Sequence, residues 1–250
     1  MTKNISYIAL SSKSGIIFFG LGKVLRFAFF IVFLLLLGSR TRSIGGYNLW
    51  QMIFFFLTFN LVDIASQFFL REVYRFRTYV VTGQFDYILS KPFSPLLRSL
   101  FGGSDIIDLF TLVPLILFII YAMTKVGIIS VIGVLLYVFL VLNALVIALA
   151  FHVFVLGVGV ITTEVDNAIW IFRDLTQLGR IPVDIYRQPI SFLLTFILPV
   201  GIMLTFPAKA LFGLLAPSAI VYATGFSLFL LFLSVCFWGY ALNNYASASS

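Results

Sequence analysis

Two side chains sit where acid–base chemistry would be costly to maintain. Asp63 and His152 each fall inside a long apolar run. A carboxylate at such a depth either lines a polar path or pairs with a base, with Arg26 and Arg71 as the bases at hand. His152 follows Ala144 and Ala148 at steps of four, so one helix face carries two small residues and an imidazole. Small residues let a neighbouring helix come close and satisfy such a group. Pro199 interrupts another apolar run, and freed backbone groups there must face protein or water. Asn60 and Asn143 read as hydrogen bonders between helices. Asp105 and Asp108 open a run, where acids favour the helix dipole.

Other chemistries lack their residues. A phosphate-cradling loop needs spaced glycines ending in Gly-Lys-Ser/Thr, and here Gly22-Lys23 is followed by Val24. One histidine and one cysteine, Cys236, rule out most multi-ligand metal sites and any internal disulfide. No two carboxylates lie one helical turn apart within an apolar run. The chain therefore reads as holding no cofactor and performing no catalysis. If ATP is used, another chain binds it.

The elements around these residues are apolar to a degree no soluble core requires. Of 250 residues, 62% are hydrophobic, 10% are charged and 30 are Phe; ordinary soluble domains carry about 25% charged residues. The composition predicts an all-α integral membrane protein. The net charge of +7 then reports topology rather than nucleic acid. Six apolar runs are expected to span, at about 21–38, 49–69, 106–124, 128–161, 190–206 and 218–242. In the first, Lys23 and Arg26 would snorkel to the interface. The N-terminal stretch is not expected to be a cleaved signal, because Arg40 and Arg42 follow it with no small-residue cleavage site. From Ile128 to Ile161 there is no Asp, Glu, Lys or Arg. As one helix that is roughly 51 Å, against a hydrocarbon core of about 30 Å. The helix either tilts and protrudes or breaks near Gly157 and Gly159.

The bases set an orientation. With the N-terminus cytoplasmic, that side receives Lys3, Lys13, Lys23 and Arg26, then Arg71, Arg75, Arg77, Lys91 and Arg98 in the loop 70–104. It also receives Arg173, Arg180 and Arg187 after the fourth run. Arg40, Arg42, Lys125 and Lys209 complete the 16 bases on the other side. Both termini are expected in the cytoplasm.

The loop 70–104 contains a punctuated segment, "TGQFDYILSKPFSPLLRSL". Gly83 permits a turn, and Phe85, Ile88 and Leu89 recur at helical spacing as an apolar face. Lys91-Pro92 should end that helix, and Pro95 starts another turn. A short helix lying on lipid headgroups fits the pattern, and so does one that docks a soluble partner.

That segment, Gly83-Gln-Phe-Asp86-Tyr-Ile-Leu89-Ser-Lys91-Pro92-Phe-Ser-Pro95, resembles the first cytoplasmic loop of the ABC-2-type permeases. A second stretch, residues 179–211, is similar to the same family through Gly179, Arg180, Pro182, Ile185, Tyr186, Leu194, Thr195, Phe196, Pro199, Pro207 and Ala208. Phe85 stands where the family usually has Leu. The resemblance implies a single transmembrane domain over 1–250, with an N-terminal amphipathic segment and a short cytoplasmic coupling helix. It implies a homo- or heterodimer of permeases in the cytoplasmic membrane of a bacterium. A separate ATPase subunit would bind ATP and Mg²⁺ and grip Gly83, Phe85, Asp86, Ile88, Leu89, Lys91 and Pro92, with Phe85 as the anchor. Export is the usual direction, and the substrate does not transfer. The competing readings are a secondary transporter or channel, for which no internal repeat is seen, and a lipid-acting enzyme, for which no polar cluster at one depth is seen.

Overall fold

The structure, a computed structural model, describes residues 13–40, 43–103 and 106–245. Lys3, Arg42 and Asp105 lie outside these residues, as do the side chains of Lys13, Lys23, Arg26 and Arg40. The described residues form helices, with one isolated bridge, Ile44 to Tyr47, as the only β feature among them.

Helix α1 is Lys13–Arg40 and α2 is Leu49–Leu70. A capping box starts α2. Asn48 Oδ1 accepts from the Gln51 amide and Gln51 Oε1 from the Asn48 amide, both at 2.9 Å. A tighter turn, Arg71–Arg75, carries α2 into α3, Phe76–Val81, so one rod runs from Leu49 to Val81. Two short helices follow, α4 (Gln84–Leu89) and α5 (Pro95–Leu100). Then come α6 (Ile106–Val126), α7 (Val131–Thr162) and α8 (Val165–Gln177). A bent pair holds α9 (Ile190–Phe192) and α10 (Phe206–Leu211), each extended by a π turn. The last helix is α11, Pro217–Asn243.

Four of these helices are long and apolar enough to cross a membrane: Leu49–Val81, Asp108–Val126, α7 and α11. Within the first, 61% of the most apolar stretch is buried, against 17% in α6 and α11. The α2 rod is therefore the most enclosed of the four, with α1, α6 and α7 packed on it and α11 packed on α7, and the outer helices turn Phe110, Ile132, Val221 and Phe232 outward. Lipid tails are as apolar as leucine, so helix association here depends on close packing. Ala144 and Ala148 are fully buried on the α7 face that carries His152, as their spacing predicts. Helix α7 does not break at its glycines. Gly157 lies against Phe237, and Gly159 against Val165 and Phe76, where a Cβ would collide.

Contacts along the rod give each helix a direction. At the Asn48 end, Trp50 meets Tyr121 of α6; at the Arg77 end, Arg71 meets Asp108, so α6 runs opposite to α2. Gly38 lies beside Leu49 and Phe30 stacks on Phe56 at 4.1 Å, so α1 also runs opposite. Tyr137 packs on Phe54 and His152 near Tyr74, so α7 is parallel to α2. α11 is parallel to α7, through Asn143 to Ser227 at 2.7 Å and Phe154 to Phe237 at 4.5 Å.

The segment after α7 departs from expectation. Asp166 reaches Arg77, Arg173 lies near Tyr74, Arg180 lies over Phe59, and Asp184 accepts from Tyr47. Residues 165–185 thus run the whole length of α2, from the Arg77 end to the Asn48 end. They were expected as a cytoplasmic loop, with Arg180 and Arg187 in its tally of bases. Arg180 instead sits at the middle of the rod, and Arg187 follows Ile185, which touches Gly45 at the far end. The run 190–206, expected as one span interrupted by Pro199, bends by 81° between Ile197 and Gly201. Both ends of this pair lie at the Asn48 end: α9 packs on residues 183–185, and Phe212 packs on Phe54 and Phe55.

Candidate functional site

The segment at the Arg77 end folds as two helices with the expected punctuation. Gly83 takes a left-handed conformation at φ 73° and turns the chain out of α3. α4 stops at Leu89, before Lys91-Pro92, and Ser94 with Pro95 starts α5. The apolar face of α4, however, points into this chain. Phe85 is 0% exposed, with its ring 5.0 Å from Phe76, 5.2 Å from Tyr245 and 6.3 Å from Trp238. Ile88 is also buried and Leu89 is half-buried. Phe85 is therefore not available as an anchor for a partner: the ends of α3 and α11 already cover it. The residues α4 and its neighbours turn outward are Tyr87, 66% exposed, with Lys91 4.1 Å over its ring, then Pro92, Phe93 and Leu97. Asp86 is half-buried.

A buried acid fastens the pair. Glu72, with its side chain 1% exposed, accepts from Arg98 Nη1 at 2.9 Å, Tyr79 Oη at 2.7 Å and Arg75 Nη1 at 3.4 Å. Gly102 and Gly103 pass so close that a Cβ on either would strike Glu72. Such an arrangement holds only if the acid stays paired, since an unpaired buried charge costs several kcal/mol, about 3–5 when a partner is removed. Sequence reading missed Glu72. Its signal was an acid among Arg71, Arg75 and Arg77 in a segment of few acids, with a Gly-Gly pair downstream.

The second feature is a cleft of about 1120 Å³ between α1 and α6, floored by α2. Its wall on α2 carries Asn60, Asp63, Gln67 and Arg71, which recur every three or four residues as one polar stripe. The crossing segment contributes Arg173 and Arg180. The other half is aromatic, with Phe27, Phe30, Phe33, Phe56, Phe59 and Phe118. Asp63 was legible alone; the stripe it belongs to was not recognised. Arg71 gives one Nη1 to Asp108 at 2.8 Å, which ties the foot of α6 to α2 and keeps Asp108 buried in the first turn.

His152 and Pro199 do not line this cleft. His152 is buried, with Nδ1 2.7 Å from the Ala148 carbonyl and its ring 5.2 Å from Phe172. Pro199 is buried at the bend of the α9–α10 pair. The stretch 179–207 forms the joint between that pair and the crossing segment. Gly179 lies against Leu204 and Val200, where a Cβ would clash. Pro182 leads into Val183, whose amide donates to Thr205 Oγ1 at 3.0 Å. Tyr186 Oη donates to the Leu178 carbonyl at 2.9 Å, and Pro207 opens α10. Arg180 reaches Gln177 Oε1 at 3.0 Å. Beside the joint, Asp184 accepts from Tyr47 at 2.8 Å and Lys209 at 2.9 Å. Burial pushes the Tyr47 phenol up from its ordinary value, and the Asp184 carboxylate adds to the effect.

Among the described residues no group of three or more His, Cys, Asp or Glu is placed to hold a metal ion. Comparison with curated proteins and with solved structures gave no match. A family model described as ABC-2 family transporter protein matches residues 24–249, which takes in the α4–α5 pair, the joint and all of the cleft's lining but Gly22. This chain belongs to the ABC-2 family of transporter proteins, as a multi-pass membrane permease.

Proposed function

We propose that the chain is the membrane subunit of an ATP-driven exporter, working as a dimer with a separate ATP-binding subunit in the cytoplasmic membrane of a bacterium. The observation that carries this reading is the α4–α5 pair, fastened to the foot of the α2 rod by Glu72 and Arg98. A push on that pair is delivered to the rod on which α1, α6 and α7 pack. The partner meets the outward side of the pair, Tyr87, Phe93 and Leu97, while Phe85, Ile88 and Leu89 hold it to this chain. Gly83, Lys91 and Pro92 set its turns, and Asp86 orients it. ATP and Mg²⁺ are held by the partner, and this chain carries no catalytic residue.

In this reading the chain crosses six times. The fifth crossing is the polar segment 165–185, and 190–211 is a hairpin that enters and leaves at the outer face. Membranes tolerate a polar, irregular crossing only where protein or a water-filled cavity covers it, and α2 and α7 flank this one. With Arg180 and Arg187 removed from the cytoplasmic tally, the bases still favour the Arg77 end as cytoplasmic.

The test is co-expression with candidate ATP-binding subunits, followed by copurification and transport-coupled ATP hydrolysis. Tyr87→Ala with Phe93→Ala should leave the permease folded and release the ATPase. Retention at wild-type affinity places the docking face elsewhere. Transport driven by an ion gradient with no ATP-binding subunit bound would favour a secondary transporter.

A further inference from the structure

We infer that the cleft between α1 and α6 holds an amphiphile with an anionic headgroup, its chain against the phenylalanines and its head at Arg173 and Arg180. As a substrate assignment this rests on the permease reading above. Three observations meet there. The cleft, at about 1120 Å³, is slightly larger than the usual small-molecule pocket of about 300–1,000 Å³. It is divided by chemistry, with rings along one half and the α2 stripe plus Arg173 along the other, and Arg180 lies over Phe59 where the two meet. Its rim, Phe29 and Phe110, is exposed and apolar, so the cleft opens toward the membrane rather than toward water.

Charge selects the headgroup. The described lining carries Arg71, Arg173 and Arg180 against Asp63. Arg71 is paired with the buried Asp108, and with Asp108 counted in, the described groups are three arginines to two acids, a net positive charge. Guanidinium groups bind phosphate and carboxylate with two parallel hydrogen bonds and are more weakly hydrated than ammonium, which suits a site at membrane depth. A cationic amphiphile meets this surplus as repulsion. A neutral one uses only the rings.

The test needs neither nucleotide nor ATPase, so its failure leaves the permease reading standing, and loss of ATPase association leaves the binding result standing. The whole permease is placed in zwitterionic lipid nanodiscs and titrated with radiolabelled dodecyl phosphate, with empty nanodiscs subtracted. Saturable binding is expected, displaced by unlabelled dodecyl phosphate but not by dodecyl maltoside, dodecyltrimethylammonium or inorganic phosphate at equal concentration. Arg173→Gln with Arg180→Gln should weaken binding about tenfold or more, and the paired Lys substitutions should recover most of it. Equal displacement by the maltoside removes the headgroup selection. Equal displacement by inorganic phosphate reduces the cleft to a plain anion site. Either outcome, or unchanged binding in a folded Gln variant, overturns the proposal. If the Gln variant does not fold, the competition series on the unaltered protein decides.

Discussion

Two helical pairs stand at opposite ends of the α2 rod and are held by different physics. At the Arg77 end, α4 and α5 are fastened by a buried carboxylate with two arginines and a tyrosine, and by a cluster of rings around Phe85. At the Asn48 end, the α9–α10 pair is held by close approach at Gly179 and by one hydroxyl, Thr205, bonded to a backbone amide. Its ion pair, Lys209 to Asp184, is partly exposed. The first rests on a buried charge, which becomes costly once its partners are lost. The second keeps its charges partly exposed, so small shifts of the bent pair leave no buried charge unpaired.

Substitutions can break this comparison, and the largest effect is expected at Glu72. Glu72→Ala leaves Arg98 and Tyr79 without their acceptor, and a loss of about 3–5 kcal/mol is expected. Thermal unfolding in detergent, with protease cleavage of the loop 82–103, reads it. A wild-type melting curve would show that the acid does not fasten the pair. Phe85→Ala should cost a similar amount, about 3–5 kcal/mol, because a filled ring site is emptied. This separates two roles for one residue: if Phe85→Ala keeps wild-type stability and only loses an ATPase subunit, the ring faces a partner after all.

Gly179→Leu should cost about 1–3 kcal/mol by overpacking against Leu204 and Val200. The effect should be confined to the outer pair, read as faster labelling of a cysteine placed at Thr195, with Cys236 replaced by Ser. Equal labelling rates would mean that the joint tolerates a side chain. Lys209→Met should have the smallest effect, under about 1 kcal/mol, as exposed ion pairs do. A loss matching that of Glu72→Ala would erase the contrast between the two ends.

Part of this was legible in residue types. The punctuation of the α4–α5 pair followed from Gly83, Lys91-Pro92 and Pro95, because those residues restrict their own backbone wherever they stand. Asp63 was found because one carboxylate in an apolar run is conspicuous. Asn60, Gln67 and Arg71 were not joined to it, since amides and an arginine near a helix end raise no alarm singly. Glu72 escaped for the same reason, lying among bases in what read as a solvated loop.

The sequence by itself determined that the chain lives in a membrane and where its most apolar helices lie. A span must satisfy its backbone internally and match about 30 Å of hydrocarbon, and both demands are met within the segment. Only the tertiary structure decided that residues 165–185 run beside α2, that 190–211 turns back on itself, and that Phe85 faces inward. Each depends on what covers a surface. A polar segment can lie at depth only when neighbours shield it, and an apolar face has the same pattern whether lipid, a partner or its own chain buries it. In this chain the covering groups are Phe59 under Arg180, Tyr47 on Asp184, and Trp238 and Tyr245 around Phe85, up to 160 residues away along the chain.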